Sequence, residues 1–295
     1  ADDALKGIEA ENPCKLSFFL KQDRLIVQNT GRPFNENDVR DLSSVGDSHK
    51  DPDQIGHFGI GFKSVFRICN YPEINSGGFS FRYNAEDETW IVPEWLDTTS
   101  EGNNNAPTTF ILPFKEPERH FELLKKQINQ LDPRILLFLN HLRCIESDRL
   151  LLTRQDLGNG TCLLARNGEH STWKIYRAEL RVPPKPLEAL RRRRGEKAAK
   201  KKKEGIVIAI KLEENDKNID LQRKGHIFAF LPTRHELKFP FDLHADFEVN
   251  AERTALVDPE RGWNRWIFGK IWRTFLPFFE DCKKGTLNIA DFYGV

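Results

Sequence analysis

A glycine-rich box at residues 56–61, Gly-His-Phe-Gly-Ile-Gly, limits the folds that this chain can adopt. Its three glycines permit positive φ angles and a close approach of the backbone to a ligand. The helix-like stretch that follows, residues 62–68, would present unpaired N–H groups and the positive end of its dipole, which suits a phosphate. The box therefore predicts a phosphate-binding loop, and a tight loop without a ligand is the alternative that the box alone leaves open.

The surroundings of the box argue against two common phosphate-binding folds. A dinucleotide-binding fold carries its glycine motif directly after the first strand, whereas a small, polar segment at residues 43–54 precedes the box here. A kinase loop lies between two strands, whereas this box leads into a helical pattern. The segment 43–54 is poorly periodic, so we interpret it as a mobile loop.

Length, charge and cysteine usage describe an ordinary intracellular chain. The 295 residues suffice for about two domains, and a net charge of +1 provides no global field toward nucleic acid or membrane. The longest apolar run, residues 135–139, is too short to span a bilayer. Five scattered cysteines without a CxxC pair predict no disulfide framework and no zinc site, and a cytoplasmic location with the nucleus left open. Methionine is absent even from position 1, so we expect a piece of a longer protein.

Alternating and periodic apolar patterns predict an α+β fold. Strands are predicted at 15–20, 24–28, 79–83, 89–92 and 108–114, and helices at 35–42 with Asn35 as N-cap, 120–131 and 134–142. Residues 144–256 are mostly β-like, and a strongly apolar helix follows at 263–279. We place an ATP-binding-type domain at 1–118, a helical connector at 119–148 and a second α+β domain at 149–295.

Four short motifs occur in the order found in the GHKL superfamily, which comprises gyrase-type topoisomerases, ninety-kilodalton heat-shock chaperones, histidine kinases and MutL, and two later motifs resemble segments of its sacsin and NO VEIN branch. The chain resembles this superfamily, and its sacsin and NO VEIN branch in particular. The motifs are Ala-Asp-Asp-Ala at 1–4, Asn-Thr-Gly-Arg-Pro-Phe at 29–34, the glycine box with its flanks at 54–66, Pro-Thr-Thr-Phe-Ile-Leu-Pro-Phe at 107–114, Leu-Leu-Phe-Leu-Asn-His-Leu at 136–142, and Ala-Asp-Phe with a later Arg at 245–253. The resemblance implies a Bergerat-type α/β sandwich followed by a second α+β, transducer-like domain, with ATP and Mg²⁺ as cofactors.

The resemblance assigns roles only where residues match. Asp3 follows the position of the magnesium-binding asparagine, and both that asparagine and the general base would precede Ala1. Asn29 and Gly31 would hold the adenine, with asparagine in place of the usual aspartate, and Thr108 would lie near the base unless it is an ordinary strand threonine. The lid at 43–54 and the phosphate cradle would use Lys50, Gly56, Phe58, Gly59, Gly61 and Phe62. We therefore expect ATP hydrolysis only in a longer parent protein.

In the second domain, the resemblance implies that Arg253 reaches the terminal phosphate and stabilises charge in the transition state. A surface arginine paired with Glu252 or Asp258 is the alternative. His57 and His244 are interpreted as polar core or loop residues rather than ligand contacts.

Two further segments allow two interpretations each. The basic run Arg191–Lys203 could contact nucleic acid, but no aromatic residues alternate with its charges, so a solvated loop is favoured. The aromatic helix at 263–279 is interpreted as core packing, with docking of a missing domain or a second subunit as the alternative.

The function predicted on this basis is a nucleotide-driven conformational switch for chaperone-like or remodelling work. Its partners would be ATP and ADP, a protein client or additional domains of the same chain, with a homodimer left open and no membrane. The alternatives are a degenerate nucleotide-binding scaffold without turnover and a DNA-associated or defence-type ATPase module.

Overall fold

The structure is a computed structural model that describes residues 15–43, 62–89, 91–97, 108–196, 201–213, 217–250 and 252–288. The chain divides into two compact units. Unit 1 comprises Ala1–Asp132 and Asn140–Thr153, and unit 2 comprises Pro133–Leu139 and Arg154–Val295. The predicted domain boundaries at residues 118 and 148 stay predictions.

Strands dominate the described residues. In chain order the elements are β1 (Lys15–Leu20), β2 (Arg24–Asn29), α1 (Glu36–Ser43), a 3₁₀ helix (Phe62–Arg67), β3 (Glu73–Ser76), β4 (Phe79–Arg82), β5 (Glu94–Trp95), β6 (Thr108–Pro113), α2 (Pro117–Asn129), α3 (Ile135–Phe138), β7 (Cys144–Ser147), β8 (Leu150–Gly158), β9 (Thr161–Arg166), β10 (Glu169–Arg181), α4 (Pro184–Arg194), β11 (Lys203–Lys211), β12 (Gly225–Ala229), β13 (Leu231–Leu237), β14 (Phe241–His244), α5 (Gly262–Phe268) and α6 (Trp272–Lys283).

Unit 1 is built on strands that pair mostly antiparallel. β1 and β2 form the predicted hairpin, with Leu16 opposite Asn29. β2 also pairs with β6, and β6 with β3, while β1 pairs in parallel with β7. The buried cluster beside these strands consists of Val39, Ile74, Phe81 and Tyr83. Because Val39 belongs to α1, this cluster fixes α1 to β3 and β4.

The start of α1 lies where the sequence predicts it. Asn35 Oδ1 accepts hydrogen bonds from the backbone N–H groups of Asn37 (2.9 Å) and Asp38 (3.1 Å). The Asp38 carboxylate in turn accepts the backbone N–H of Asn35 at 2.8 Å. This reciprocal arrangement satisfies N–H groups that the first helical turn leaves unpaired, and it confirms Asn35 as the N-cap.

Unit 2 is organised around the long strand β10. β10 pairs with β9 on one side and with β11 on the other, from Trp173–Lys211 to Arg181–Lys203. β14 pairs antiparallel with β11 and parallel with β12, and β13 pairs antiparallel with β12. Helix α6 packs against β10 and β11, and α4 packs against α5. The large buried aromatic residues of this core are Tyr176, Phe247, Trp263 and Phe278.

The fold-class prediction is wrong. The strands form one mixed sheet of 14 strands in the order β13-β12-β14-β11-β10-β9-β8-β7-β1-β2-β6-β3-β4-β5. A Bergerat-type α/β sandwich followed by a second α+β, transducer-like domain would place a helical layer on each half. Among the described residues only α2, α4 and α6 reach eleven residues, so strand pairing rather than helix packing organises the chain.

Two predicted helices are also shorter than expected. The helix predicted at 134–142 contains a single helical turn, α3, because Leu139 has an extended conformation (φ −82°, ψ 141°). The helix predicted at 263–279 is divided into α5 and α6, since α5 ends at Gly269. Within the described ranges, no helix is long and apolar enough to cross a membrane.

The strand predicted at 89–92 is absent from the described residues of that range. The Asp87 side chain accepts hydrogen bonds from the backbone N–H and the hydroxyl of Thr89, at 2.8 and 2.9 Å. Such a side-chain-to-backbone bond favours a turn over an extended strand.

Candidate functional site

A row of polar side chains crosses three neighbouring strands of unit 1. Asn29 at the end of β2 is in register with Thr108 at the start of β6, and Thr108 is in register with Ser76 at the end of β3. All three are buried, with Thr108 only 1% exposed. We call these three residues the polar row. Such residues are unusual in a sheet interior, because a buried polar group without a hydrogen bond is costly.

Asn29 organises the turn that follows β2. Its Oδ1 accepts the backbone N–H of Gly31 at 3.0 Å, and this turn leaves Gly31 buried beside the row. One lone pair of Oδ1 is used in this way, and a carbonyl oxygen has two. Within the described part of the chain, the Asn29 Nδ2 group has no hydrogen-bond partner. Asn29 therefore keeps one acceptor position and one donor group for a ligand.

Ser76 is a member of the row that the sequence analysis did not identify. Its hydroxyl lies 2.6 Å from the Thr108 hydroxyl and accepts the backbone N–H of Phe34 at 2.9 Å. Either hydroxyl can donate in this pair, and the Thr108 hydroxyl oxygen keeps a further lone pair in both cases. Only the register of β3 against β6 reveals this residue, since no local motif surrounds it.

Phe62, predicted to wall the phosphate loop, lies in an aromatic cluster near the row. Its ring centroid is 5.6 Å from Tyr83, 6.0 Å from Phe66 and 6.1 Å from Phe110. Phe110 follows Thr108 by two residues on β6, so both side chains lie on the same face of the sheet. Burial raises the pKa of the Tyr83 hydroxyl. The structure thus brings Asn29, Gly31, Thr108 and Phe62 to one region.

The other predicted residues of this site lie outside the described part of the chain. They are Asp3, Lys50, Gly56, Phe58, Gly59 and Gly61, and His57 lies with them. Among the described residues there is no group of three or more His, Cys, Asp or Glu that could hold a metal ion.

Arg253, predicted to reach a terminal phosphate, lies in unit 2 in a tight turn. It has a positive φ of 56°, and its backbone N–H donates to Asn250 O at 2.9 Å. A positive φ is uncommon for a residue with a side chain. Asp258, one of the two alternative partners beside Glu252, forms an ion pair with Arg193. In the part of the chain that the structure describes, the Arg253 guanidinium forms no ion pair.

Two comparisons relate this chain to known proteins. Residues 17–83 match the family model described as Sacsin domain. The chain is also similar to Protein NO VEIN from Arabidopsis thaliana, with 27% identity over 310 residues. That alignment covers 94% of this chain and 11% of the relative's length. Together these findings support a sacsin-like, NO VEIN-like relationship. The range 17–83 includes Asn29, Gly31, Phe62 and Ser76, whereas Thr108 follows it.

The described residues of the basic run do not form a solvated loop. Arg191–Arg194 form the last turn of α4. Arg194 and Lys201 are 5% and 6% exposed, and both donate to Asp246 Oδ2 at 2.9 Å. Lys201 Nζ also lies 2.7 Å from Glu204 Oε2. We call Arg194, Lys201, Glu204 and Asp246 the Asp246 cluster; residues 197–200 lie outside the described part of the chain.

The Asp246 cluster gives the Ala-Asp-Phe motif a structural role. The Asp246 carboxylate accepts from two cations, while its backbone N–H donates to Glu204 Oε1 at 2.9 Å. Trp263 Nε1 donates to the Asp246 carbonyl at 2.8 Å. One aspartate therefore ties the end of α4, the start of β11 and the start of α5 together.

His244 is a core residue, as the sequence analysis favoured. Its ring stacks on Phe138 at 5.1 Å, and the backbone N–H of Phe230 donates to its Nδ1 at 3.3 Å. Burial lowers the pKa of His244 to about 4. The imidazole is therefore neutral at neutral pH and contributes packing rather than charge.

The Asp246 cluster predicts a pH-dependent stability. Burial raises the pKa of Glu204 from 4.5 to about 7, and Lys201 opposes this rise. Burial alone would lower the pKa of Lys201, but Asp246 and Glu204 outweigh it, so the ammonium stays charged. Since the folded pKa of Glu204 exceeds the unfolded one, its stabilising contribution is present below about pH 4.5 and is lost as the pH rises through about 7.

Glu204→Gln removes this titration. Relative to the wild type, we expect the variant to gain on the order of 2 kcal/mol of unfolding free energy between pH 5 and pH 8. Urea unfolding across this pH range measures the difference. The matched control is Glu179→Gln, whose carboxylate is 65% exposed and pairs with Lys203 at the surface. Parallel stability–pH curves for wild type and Glu204→Gln would contradict the expectation.

Proposed function

We propose that this chain contributes a nucleotide-binding module to a sacsin-like protein, with ATP and Mg²⁺ as its ligands. The polar row carries the proposal. Its free hydrogen-bonding positions, on Asn29 and on the Thr108 hydroxyl, are neutral donors and acceptors. Groups of this kind suit a purine base, which offers ring nitrogens as acceptors and an exocyclic amine as a donor.

Other motifs in the sequence resemble those that bind the remaining parts of ATP and its metal ion. The glycine box at 56–61 resembles a phosphate cradle, and the motif at 29–34 resembles an adenine-binding motif. Asp3 matches the motif that would help to hold Mg²⁺, and the ion would supply positive charge that neutralises the phosphates. Arg253 would supply positive charge to the terminal phosphate.

ATP hydrolysis would make this module a conformational switch for chaperone-like or remodelling work in the longer protein. This step rests on the resemblance to GHKL ATPases, and similarity of family does not fix biological function. Binding without release of phosphate would instead identify a nucleotide-holding scaffold. A nucleic-acid function has no specific support, since Arg191, Arg192 and Arg193 pair with carboxylates.

Thr108→Val tests the proposal, with Thr109→Val as a matched control. Both threonines are buried on β6, but their side chains alternate to opposite faces of the sheet. Thr108 belongs to the polar row, whereas Thr109 accepts a hydrogen bond from Gln28 at 3.2 Å. We expect Thr108→Val to weaken Mg-ATP binding about tenfold, which corresponds to about 1.4 kcal/mol, and Thr109→Val to leave it nearly unchanged.

Titration calorimetry with Mg-ATP measures both affinities, and circular dichroism confirms that both variants fold. The same titrations are made on this chain and on a form extended at its N-terminus by the metal-binding motif that the resemblance implies. Equal losses in the two variants would mean that the polar row is structural only. Absence of Mg-ATP binding in both wild-type forms would overturn the proposal.

A further inference from the structure

Helix α6 presents an exposed stripe of large apolar side chains. Trp272, Leu276 and Phe279 are 51%, 51% and 49% exposed. Their spacing of four and three residues places them on one face of the helix. The opposite face carries Thr274 and Phe278, which are buried and fix α6 to the core of unit 2. The orientation of the stripe is therefore set by packing.

Aromatic contacts extend this stripe across to the segment before β14. Phe279 lies 6.3 Å from Phe275, Phe275 lies 5.1 Å from Phe241, and Phe241 stacks on Phe239 at 5.7 Å. The two ends are exposed, with Phe239 at 56%, whereas Phe241 and Phe275 are half-buried. These rings form a continuous apolar surface from α6 to the segment before β14, with half-buried rings between exposed ones. We call these rings together with Trp272 and Leu276 the α6 groove.

The segments that carry the α6 groove hold an excess of positive charge. The cations within these segments are Lys238, Lys270, Arg273, Lys283 and Lys284, and the carboxylates are Glu280 and Asp281. Asp281 is occupied by Lys174 at 3.2 Å and by Tyr176 at 2.9 Å. Within the described ranges, none of the five cations takes part in an ion pair.

This excess is local, since the net charge of the whole chain is only +1. The dipole of α6 accounts for cations at its C-terminal end, Lys283 and Lys284. It does not account for Lys238, Lys270 or Arg273, which lie next to Phe239 and Trp272. Arg273 even lies over the Trp272 ring at 4.9 Å, so charge and apolar surface meet directly.

We propose that the α6 groove binds an amphipathic helix of another protein, with an apolar stripe and acidic flanks. Apolar anchors at helical spacing are the signature of helix-in-groove recognition, and contiguous exposed apolar surface marks interaction sites. The half-buried rings between exposed ones favour a helix over a lipid surface, and the unpaired cations select acidic flanks. Two copies of this groove would oppose like charges, which disfavours self-association.

Two synthetic peptides test this proposal. The glutamate peptide has leucines at i, i+4, i+7 and i+11 with glutamates between them. The lysine peptide is identical except that lysines replace the glutamates. Fluorescence anisotropy of labelled peptides with the full chain measures binding. We expect the glutamate peptide to bind at least about tenfold more tightly than the lysine peptide, and added salt to reduce this preference.

Variants of surface residues test whether the peptide binds at the α6 groove. Leu276→Ser and Phe239→Ser should each weaken the glutamate peptide at least about fivefold, because anchors in apolar pockets dominate such interfaces. Leu157→Ser, at a side chain 51% exposed on β8, is the matched control and should change nothing. Lys270→Glu should reduce the preference for the glutamate peptide without changing the fold.

Several outcomes would overturn the proposal. Equal binding of the two peptides, or equal effects of Leu276→Ser and Leu157→Ser, would remove the acidic helix as the ligand. Self-association in sedimentation experiments that Leu276→Ser abolishes would assign the groove to a second copy. The chain could also bind phosphatidylserine vesicles more strongly than the glutamate peptide and lose that binding in Leu276→Ser. This result would assign the α6 groove to a membrane surface.

Discussion

Replacing Asp242 by alanine should lower the free energy of unfolding of unit 2 by about 3–5 kcal/mol. The Asp242 side chain is fully buried. It accepts two hydrogen bonds from Arg223 at 2.8 and 2.9 Å, one from Arg134 at 3.1 Å and one from the backbone N–H of His226 at 2.8 Å. Removing the carboxylate leaves two half-buried cations and one N–H group without their shared acceptor.

Both cations also contact aromatic ring faces. The Arg223 guanidinium lies over the Trp173 ring at 4.8 Å, and that of Arg134 lies over Phe228 at 5.5 Å. Contacts with ring faces contribute about 0.5–2 kcal/mol each, which is less than the loss of a buried ion pair. Local rearrangement therefore recovers only part of the stability.

Urea unfolding followed by circular dichroism measures the effect of Asp242→Ala. Glu179→Ala is the control, because Glu179 and Lys203 form an ion pair with both side chains 65% exposed. Such surface pairs contribute about 0–1 kcal/mol. Asp242→Asn keeps the shape and loses the charge, so it should fall between the two. A loss for Asp242→Ala no larger than that for Glu179→Ala would contradict the role assigned to this carboxylate.

The same region explains the apolar motif at 136–142. Arg154, only 5% exposed, donates to the carbonyl groups of Leu136 at 2.9 Å and Leu137 at 3.0 Å. These carbonyls lie near the end of α3, so the arginine replaces the hydrogen bonds that a longer helix would provide. Because Arg154 lies outside the motif in the sequence, periodicity alone predicted a helix that continues to residue 142.

Local chemistry made several elements predictable. The polar turn between β1 and β2 and the cap at Asn35 involve residues close in sequence, and both predictions are confirmed. The fold class was wrong because it depends on which distant strands pair, and β1 pairs with β7 across more than 120 residues. The resemblance of short motifs to one superfamily could not reveal that pairing.

The basic run shows a different limit of sequence reasoning. A dense run of like charges predicts a solvated segment when no opposite charges lie close to it in the sequence. Here Asp246 and Asp258 provide them from about fifty or more residues away, so Arg194 and Lys201 are buried and Arg193 is paired. In the candidate site, likewise, Asn29 and Thr108 came from motifs, whereas Ser76 came only from strand register.

Gly225→Ala should destabilise unit 2 by about 3 kcal/mol or more. Gly225 begins β12, and its backbone N–H donates to Phe239 O at 2.9 Å. A Cβ atom at this position would lie 1.7 Å from Phe241 O and 2.8 Å from Phe239 O. Both obstacles are backbone atoms of the segment leading into β14, so neither can rotate away as a side chain would.

Gly205→Ala provides the matched control for that substitution. Gly205 lies on β11, and a Cβ atom there meets nothing within 4 Å. Alanine also restricts the unfolded chain more than glycine, so this change should be neutral or stabilising by up to about 1 kcal/mol. Urea midpoints of the two variants measure the difference.

Because Gly225 packs on the backbone that carries Asp242, separating β12 from β14 also separates Asp242 from His226. Gly225→Ala and Asp242→Ala together should then cost less than the sum of the two single losses. Equal midpoints for Gly225→Ala and Gly205→Ala would contradict the close approach of β12 to β14.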